Sequence, residues 1–259
     1  MNTTTAIILA AGMGTRLQAQ EGHKLLARVG GRTLFSYHVE NFAHLGVRSF
    51  VIVTGFQAPL LEKTLARVAE EEGLEVRFAR NEEFRKGNGL SVLAGANLLF
   101  EEKGPQGFWL TMSDHLYVRP FFEDLAQTLE QEGLNPEREE EEPHPGVRCD
   151  GALCVDMKVE TIFDVPDATK LQLHSQPLQI SKELDHFDAV DTGLFWCGPG
   201  FVKALQEALQ SRGDCSTSDA VQTLHARGRF RFLDVGPALW QDVDTPEARG
   251  HAEKLLATD

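Results

Sequence analysis

The residues best suited to chemistry begin near the start of the chain. Leu9-Ala10-Ala11-Gly12-Met13-Gly14-Thr15-Arg16-Leu17 is a run of small residues ending in a cation, and Lys24 follows it. Small residues let a backbone approach a ligand closely, and glycine takes positive φ without a steric penalty. Successive backbone N–H groups in such a loop form an anion-binding concavity. Arg16 adds a planar, permanently charged fork suited to phosphate oxygens, and Lys24 adds a movable point charge. Carboxylates stand further on, at Asp114 and at Asp242 and Asp244. This set suits attack at the α-phosphorus of a bound triphosphate, with Mg2+ held by one or two carboxylates and several phosphate oxygens. A phosphate nucleophile is already ionised at neutral pH, so positioning and electrostatics carry such a reaction. The chain contains no Gly-x-Ser-x-Gly, no His-Glu-x-x-His and no evident triad.

Two better-known glycine loops are disfavoured. The dinucleotide fingerprint needs a third glycine, and Leu17 stands there. The P-loop ends in Gly-Lys-Ser/Thr, and this sequence has no Gly-Lys pair. The connection from the first strand to Leu25-Leu26 takes about fifteen residues, against the usual two to six. Long loops at the carboxyl end of a first strand are usually functional.

The elements around these residues follow from pattern. Ala6-Ile7-Ile8-Leu9 is a buried first strand. Helical spacing over Thr33 to Leu45, the apolar run Ser49 to Val53, a helix from Pro59 to Glu72 and the alternating Leu74 to Ala79 give β-α-β-α-β. That order predicts a parallel sheet with right-handed crossovers. Phe108 to Met112 is a central strand ending in Ser113-Asp114-His115, where an α/β sheet places its chemistry. The plainer alternative for that tripeptide is a helix N-cap. From Asp150 the alternation breaks into short strands, which predicts a small mixed sheet beside the first half that receives the second substrate. Ser216-Thr217-Ser218-Asp219 is a capping cluster, and Thr245-Pro246 suits the N-cap and first position of a last helix.

Bulk properties narrow the class. The 259 residues are 42% hydrophobic and 25% charged, ordinary for a soluble globular protein. They read as a single domain, 1–259, with a nucleotide-binding half (1–134), an exposed acidic insertion (135–149, rich in Glu and Pro) and an acceptor-binding half (150–259). The net charge of −14 argues against a nucleic-acid partner but not against a small anionic ligand in a local cationic pocket. Cys149, Cys154, Cys197 and Cys215 show no paired spacing, so they read as reduced thiols. No signal peptide or membrane-inserted segment is evident, and a cytoplasmic location is expected. A homodimer is compatible with the sequence.

The order of motifs carries a resemblance. Ala-Ala-Gly-Met-Gly-Thr-Arg-Leu followed by Lys24 resembles the signature of the nucleotidyltransferases that make sugar nucleotides and CDP-alcohols, a MobA-like family of NTP transferases. Lys182 before Ala189-Val190-Asp191-Thr192-Gly193-Leu194-Phe195 resembles the acceptor-phosphate lysine and the substrate strand after it. Trp240 to Glu247 resembles the segment bearing a second metal ligand. Asn88-Gly89-Leu90-Ser91, Met112-Ser113-Asp114-His115 and Asp242-Val243-Asp244-Thr245-Pro246-Glu247 together resemble the inositol-1-phosphate cytidylyltransferases. The resemblance implies a Rossmann-like, three-layer α/β/α nucleotidyltransferase fold and the reaction of CTP with myo-inositol 1-phosphate. Some of those proteins fuse this domain to a membrane phosphotransferase; a chain ending at Asp259 implies the stand-alone form.

The resemblance also implies roles. Leu9, Ala10, Ala11, Gly12, Met13, Gly14 and Thr15 cradle the nucleotide. Arg16 holds the β- and γ-phosphates and Lys24 the α-phosphate, with Asp114 completing the catalytic set. Asn88 and Ser91, with Asn81 beside them, face the base. Asp114 and Asp244 hold Mg2+, and Asp242 can replace Asp244. Lys182 binds the acceptor phosphate, and Asp191, Thr192 and Gly193 its hydroxyls. The partners implied are a nucleoside triphosphate and a phosphorylated alcohol. The family usually has Pro before the loop lysine; His23 stands here and reads as a solvent-facing residue. Three alternatives stay open: phosphocholine (with Phe195 and Trp196 as an aromatic cage) or a hexose 1-phosphate as acceptor, another base, and a nucleotide sensor without catalysis.

Overall fold

The computed structural model describes residues 5–14, 23–131 and 149–257. Thr15, Arg16 and the acidic insertion expected over 135–148 lie outside them. Every residue of β1 (Thr5–Ala10) is buried. An apolar run without alternation is the pattern of a strand covered on both faces, and both faces are covered here. Ile7 and Leu9 join one core; Ala6, Ile8 and Ala10 join the other.

A ribbon of β2 (Arg28–Val29) and β3 (Arg32–Thr33) follows, then α1 (Leu34–Ala43) and β4 (Ser49–Thr54). Next come α2 (Ala58–Glu72), β5 (Glu75–Arg80), α3 (Gly89–Lys103) and β6 (Phe108–Met112). β5, β4, β1 and β6 lie side by side and parallel, as the β-α-β order predicts. Phe35 and Phe42 of α1 and Leu61 and Leu65 of α2 cover one face. Val92, Ala96 and Leu99 of α3 cover the other, giving three layers.

The second half adds β7 (His115–Tyr117), α4 (Phe121–Gln131), β8 (Gly151–Asp156), β9 (Lys170–Gln172), β10 (Gln179–Ser181) and β11 (Ala189–Cys197). After these come α5 (Pro199–Arg212), α6 (Thr217–Ala226), β12 (Phe230–Asp234), β13 (Trp240–Asp242) and α7 (Pro246–Leu256). The mixed strands expected beside the first half are present, and they continue the central sheet instead of building a second one. β11 runs antiparallel to β6 and carries β8 and β9 on its other side. This is why Phe195 and Leu110 share one core. Ser216 and Asp219 cap α6 reciprocally, and Thr245 caps α7 with Pro246 in its first turn, as their types predict. Four free cysteines are present, three of them buried. Among the described residues, no helix is long and apolar enough to cross a membrane.

One titratable side chain is locked inside this frame. His38 of α1 is buried against Phe42 and Tyr117. Burial, aided by the nearby His115, pushes its imidazole down to about 4 from 6.5. Between those values the unfolded chain binds the proton and the native one does not. Its stabilisation is therefore complete above 6.5 and is lost as the pH falls toward 4, by up to about 1.4 kcal/mol per pH unit. His38→Leu should flatten this acid limb in urea-unfolding midpoints taken across that window. A limb of unchanged slope would remove His38 as its source.

Candidate active site

The chain runs from β1 to β4 and β5, then crosses back to lay β6 on the opposite side of β1. The crevice beyond the carboxyl ends of two strands that diverge in this way is the usual ligand site of an α/β sheet. Leu9 pairs with Met112 there, and Ser113 N donates to the Leu9 carbonyl at 3.1 Å. The end of β1 and the Ser-Asp-His segment therefore meet. A short strand, β7, and not a helix, follows Asp114, so the N-cap alternative fails.

Lys24 reaches this point from the far end of the first loop. Its Nζ lies 2.6 Å from Asp114 Oδ2, and His115 Nδ1 lies 3.0 Å from Asp114 Oδ1. Burial disfavours an ionised Asp114, but the His115 bond and the Lys24 charge outweigh it and hold the carboxyl well below the usual range. Burial likewise opposes charge on His115, yet Asp114, Asp242 and Asp191 raise its pKa. Gly14 has φ +55°, and a Cβ there would stand 3.0 Å from Lys24 Cγ, so the glycine makes room for the lysine stem.

His23 departs from expectation. It is buried, not solvent-facing, and it bonds the Ala10 carbonyl through Nε2 at 2.9 Å. Leu25 N donates to Nδ1 at 3.4 Å, which leaves Nε2 as the protonated nitrogen. Burial lowers its pKa, with Lys24 adding to the effect. The neutral ring thus pins the start of the Lys24 turn to the end of β1.

The second carboxylate group arrives through pairing of very short strands. β13 runs antiparallel to β7 and sets Asp242 opposite His115. Val243 N then donates to the Asp114 carbonyl at 2.7 Å. Ligand atoms of Asp242, Asp244 and Asp167 lie within 4.8 Å of one another. Asp114 is not one of the three. Asp244 is buried, and burial together with neighbouring carboxylates raises Asp242, though His115 opposes this. An all-oxygen set of this kind matches a hard divalent cation. Lys182 Nζ meets Asp167 Oδ1 at 3.0 Å, so the expected acceptor lysine borders the cluster.

The polar break expected in Asp191-Thr192-Gly193 is an irregularity in the pairing of β11 with β8. Asp191 Oδ1 accepts from Gly193 N at 2.7 Å. Burial pushes the Asp191 carboxyl up to about 6, with the Gly193 bond and His115 pulling the other way. Gly193 has φ +75°, and a Cβ there would lie 2.6 Å from the His115 ring.

One cavity of about 820 Å3 joins these parts. Leu9, Ala11, Gly12, Gly14 and Lys24 line it, as do Asp114, Asp242 and Asp244. Asn88 and Ser91 line it too, and so do Lys182, Asp191 and Gly193. Of the expected residues that the structure describes, four are not among those lining the cavity. Ala10 is buried in the sheet, Met13 points outward, Asn81 donates to Ser91 Oγ from beneath, and Thr192 Oγ1 donates to the Cys154 carbonyl. Phe195 is core and Trp196 packs over Gly107, so neither contributes an aromatic cage. His115 and Asp167 were not anticipated. His115 sat in a motif already noted, whereas no local pattern marks Asp167.

Comparison with known proteins bears on the family and the fold. Residues 6–157 match the MobA-like NTP transferase domain. A relative named bifunctional IPC transferase and DIPP synthase, from Thermococcus kodakarensis, is 33% identical over 256 residues, 97% of this chain and 50% of the relative. One of the same name from Rubrobacter xylanophilus is 29% identical over 97% of this chain and 51% of its own length. The chain therefore spans about half the length of the curated relatives it matches. The inositol-1-phosphate CTP transferase from T. maritima superposes with a TM-score of 0.74 at 24% identity, over 99% of this chain and 96% of that one. A putative glucose-1-phosphate thymidylyltransferase from Bacillus anthracis gives 0.75 at 14%, over 98% and 95%. At such identities the structural likeness is one of fold.

The His23 contact yields a direct test. His23→Ala leaves the buried Ala10 carbonyl without its donor, which should cost about 1–3 kcal/mol in urea unfolding. A midpoint equal to that of the wild type would show that the contact stabilises nothing.

Proposed function

The chain belongs to the MobA-like NTP transferase family and is a nucleotidyltransferase, and we propose that it transfers a cytidylyl group from CTP to myo-inositol 1-phosphate. The supporting observation is the single cavity in which Lys24, Asp114, the acidic pair Asp242 and Asp244, and Lys182 converge. The names of the relatives and of the T. maritima structure favour this acceptor. Phe195 and Trp196, the aromatic pair considered for a quaternary ammonium, do not line the cavity, which disfavours the phosphocholine cage they would form.

In this reading the backbone from Leu9 to Gly14 receives the triphosphate. Arg16 holds its outer phosphates, a role that rests on the resemblance alone. Asn88 and Ser91 face the base. Lys24 leaves Asp114 for the α-phosphate and stabilises the charge that gathers there. An oxygen of the acceptor phosphate bonds to the α-phosphorus, the bond from that phosphorus to the bridging oxygen breaks, and pyrophosphate leaves with the electron pair. No side-chain base is required, because the attacking oxygen is already ionised. Asp114 and Asp244 are the proposed holders of Mg2+, with Asp242 beside them. The ion supplies charge neutralisation for the phosphates and the leaving group. Asp114 is suited to this because its carboxyl stays ionised. Lys182 binds the acceptor phosphate and Asp191 the hydroxyls nearest β11.

A pyrophosphate-release screen decides the reading. CTP, UTP, GTP and ATP are each paired with inositol 1-phosphate, phosphocholine and hexose 1-phosphates, with Mg2+ and with chelator. Release is expected for CTP with inositol 1-phosphate, and only with the metal. Preference for another pair, or full activity in chelator, would overturn the corresponding part.

Lys182→Ala supplies a second check by steady-state kinetics. The acceptor KM should rise about tenfold or more and the nucleotide KM should stay within about twofold, since a charge-assisted bond to phosphate is lost on one side only. Equal effects on both would remove Lys182 from the acceptor side.

A further inference from the structure

The cavity wall past the acidic cluster is unlike the rest. Phe163 lines it and remains 46% exposed, an unusual state for a phenyl ring next to carboxylates. The ring is not loose. It stacks on His251, with centroids 4.4 Å apart and planes within 17°. His251 is itself fixed, its Nδ1 lying 2.9 Å from Gln241 Oε1. Gln241 is buried and donates through Nε2 to the Asp242 carbonyl and Oδ1. A continuous line of contacts thus runs from the metal-cluster strand β13 through two stacked rings. Leu239 and Leu255 extend the apolar surface around them.

The same turn carries polar groups of a definite kind. Asp164 follows Phe163 and lines the cavity, and Asp167 pairs with Lys182 Nζ at 3.0 Å. A flat apolar face, carboxylates that accept hydroxyl hydrogens, and a cation for phosphate lie along one short arc. A polyhydroxylated ring bearing a phosphate has the complementary parts: a C–H face, outward hydroxyls and an anionic end. An acyclic phosphorylated alcohol lacks the face.

We propose that Phe163, backed by His251, is the platform on which the acceptor ring lies, and that it selects cyclic polyol phosphates over acyclic ones. This rests on the reading of the cavity as the site of a phosphorylated polyol. Phe163 touches the ring and no reacting atom, so its effect belongs in acceptor binding. Asn88 and Ser91, the residues proposed for the base, line the same cavity.

Two measurements on the whole chain test this. In steady-state kinetics, Phe163→Ala should raise the KM for inositol 1-phosphate about tenfold and leave the CTP KM within about twofold, as loss of one buried apolar contact implies. With glycerol 3-phosphate as acceptor it should change little, and Phe163→Trp should restore the ring preference. In saturation-transfer NMR without turnover, ring C–H protons of inositol 1-phosphate should receive magnetisation from the wild type and lose most of it with Phe163→Ala. Turnover of inositol 1-phosphate with no effect of Phe163→Ala, or equal effects on both acceptors, overturns the platform and spares the proposed reaction. Binding that depends on Phe163 without turnover spares the platform and overturns the reaction. No binding by the wild type overturns both.

Discussion

Everything in the site is hung on one shared carboxylate. Asp114 takes Lys24 on one oxygen and His115 on the other. Its own backbone carbonyl accepts Val243 N, which fixes the acidic segment beyond β13. A single residue at the carboxyl end of β6 thus ties the end of the first loop to a strand near the end of the chain. That is possible because β6 lies against β1 at the point where strand order reverses. An ionised carboxylate withdrawn this far from water is costly unless it is paired and hydrogen-bonded, and half-buried Asp114 is both. Lys24 and His115 are therefore held where they are by the same charge that they stabilise.

The two histidines on either side of this centre have opposite electrostatics for physical reasons. His23 bonds a neutral carbonyl next to a lysine, and burial keeps it uncharged. His115 is surrounded by Asp114, Asp191 and Asp242, and their field outweighs its burial. One acts as a pin and the other as a counter-charge. The positive φ of Gly193 belongs with this second role, since the backbone of β11 closes directly over the His115 ring.

What was legible in the sequence divides by range. The first strand, the parallel order and the caps at Ser216 and Thr245 are encoded by residues close together, and they appear as expected. The convergence of Asp114 with Asp242 and Asp244 is not encoded locally. It depends on a β7–β13 pairing three residues long, too short to show any periodicity. Likewise the short strands after Asp150 could be recognised as mixed, but their joining to β6 through β11 depends on partners distant in sequence. His23 departs from the rule that a polar loop residue is solvated, because its bond to the Ala10 carbonyl satisfies it inside the protein. Asp167 lies in an irregular turn, where neither period nor motif sets one aspartate apart from another.

An acidic chain that handles a polyanion presents an apparent conflict. Its resolution lies in how charge is arranged in the cavity and not in the net value of −14. Lys24 and Lys182 line the cavity together with several carboxylates, of which burial raises Asp242 and brings Asp191 up to about 6. Burial is the main cause in both, and neighbouring carboxylates add repulsion at Asp242. Free triphosphate would add to that repulsion, whereas a triphosphate carrying a divalent cation would relieve it. Under the proposed reaction, such a wall would favour metal-bound nucleotide over free nucleotide, and a cation bound at Asp114 would compete with Lys24 for that carboxylate. Asp114 would then serve two claims in the proposed reaction, the ion that neutralises the phosphates and the Lys24 ammonium that would otherwise stay paired with it.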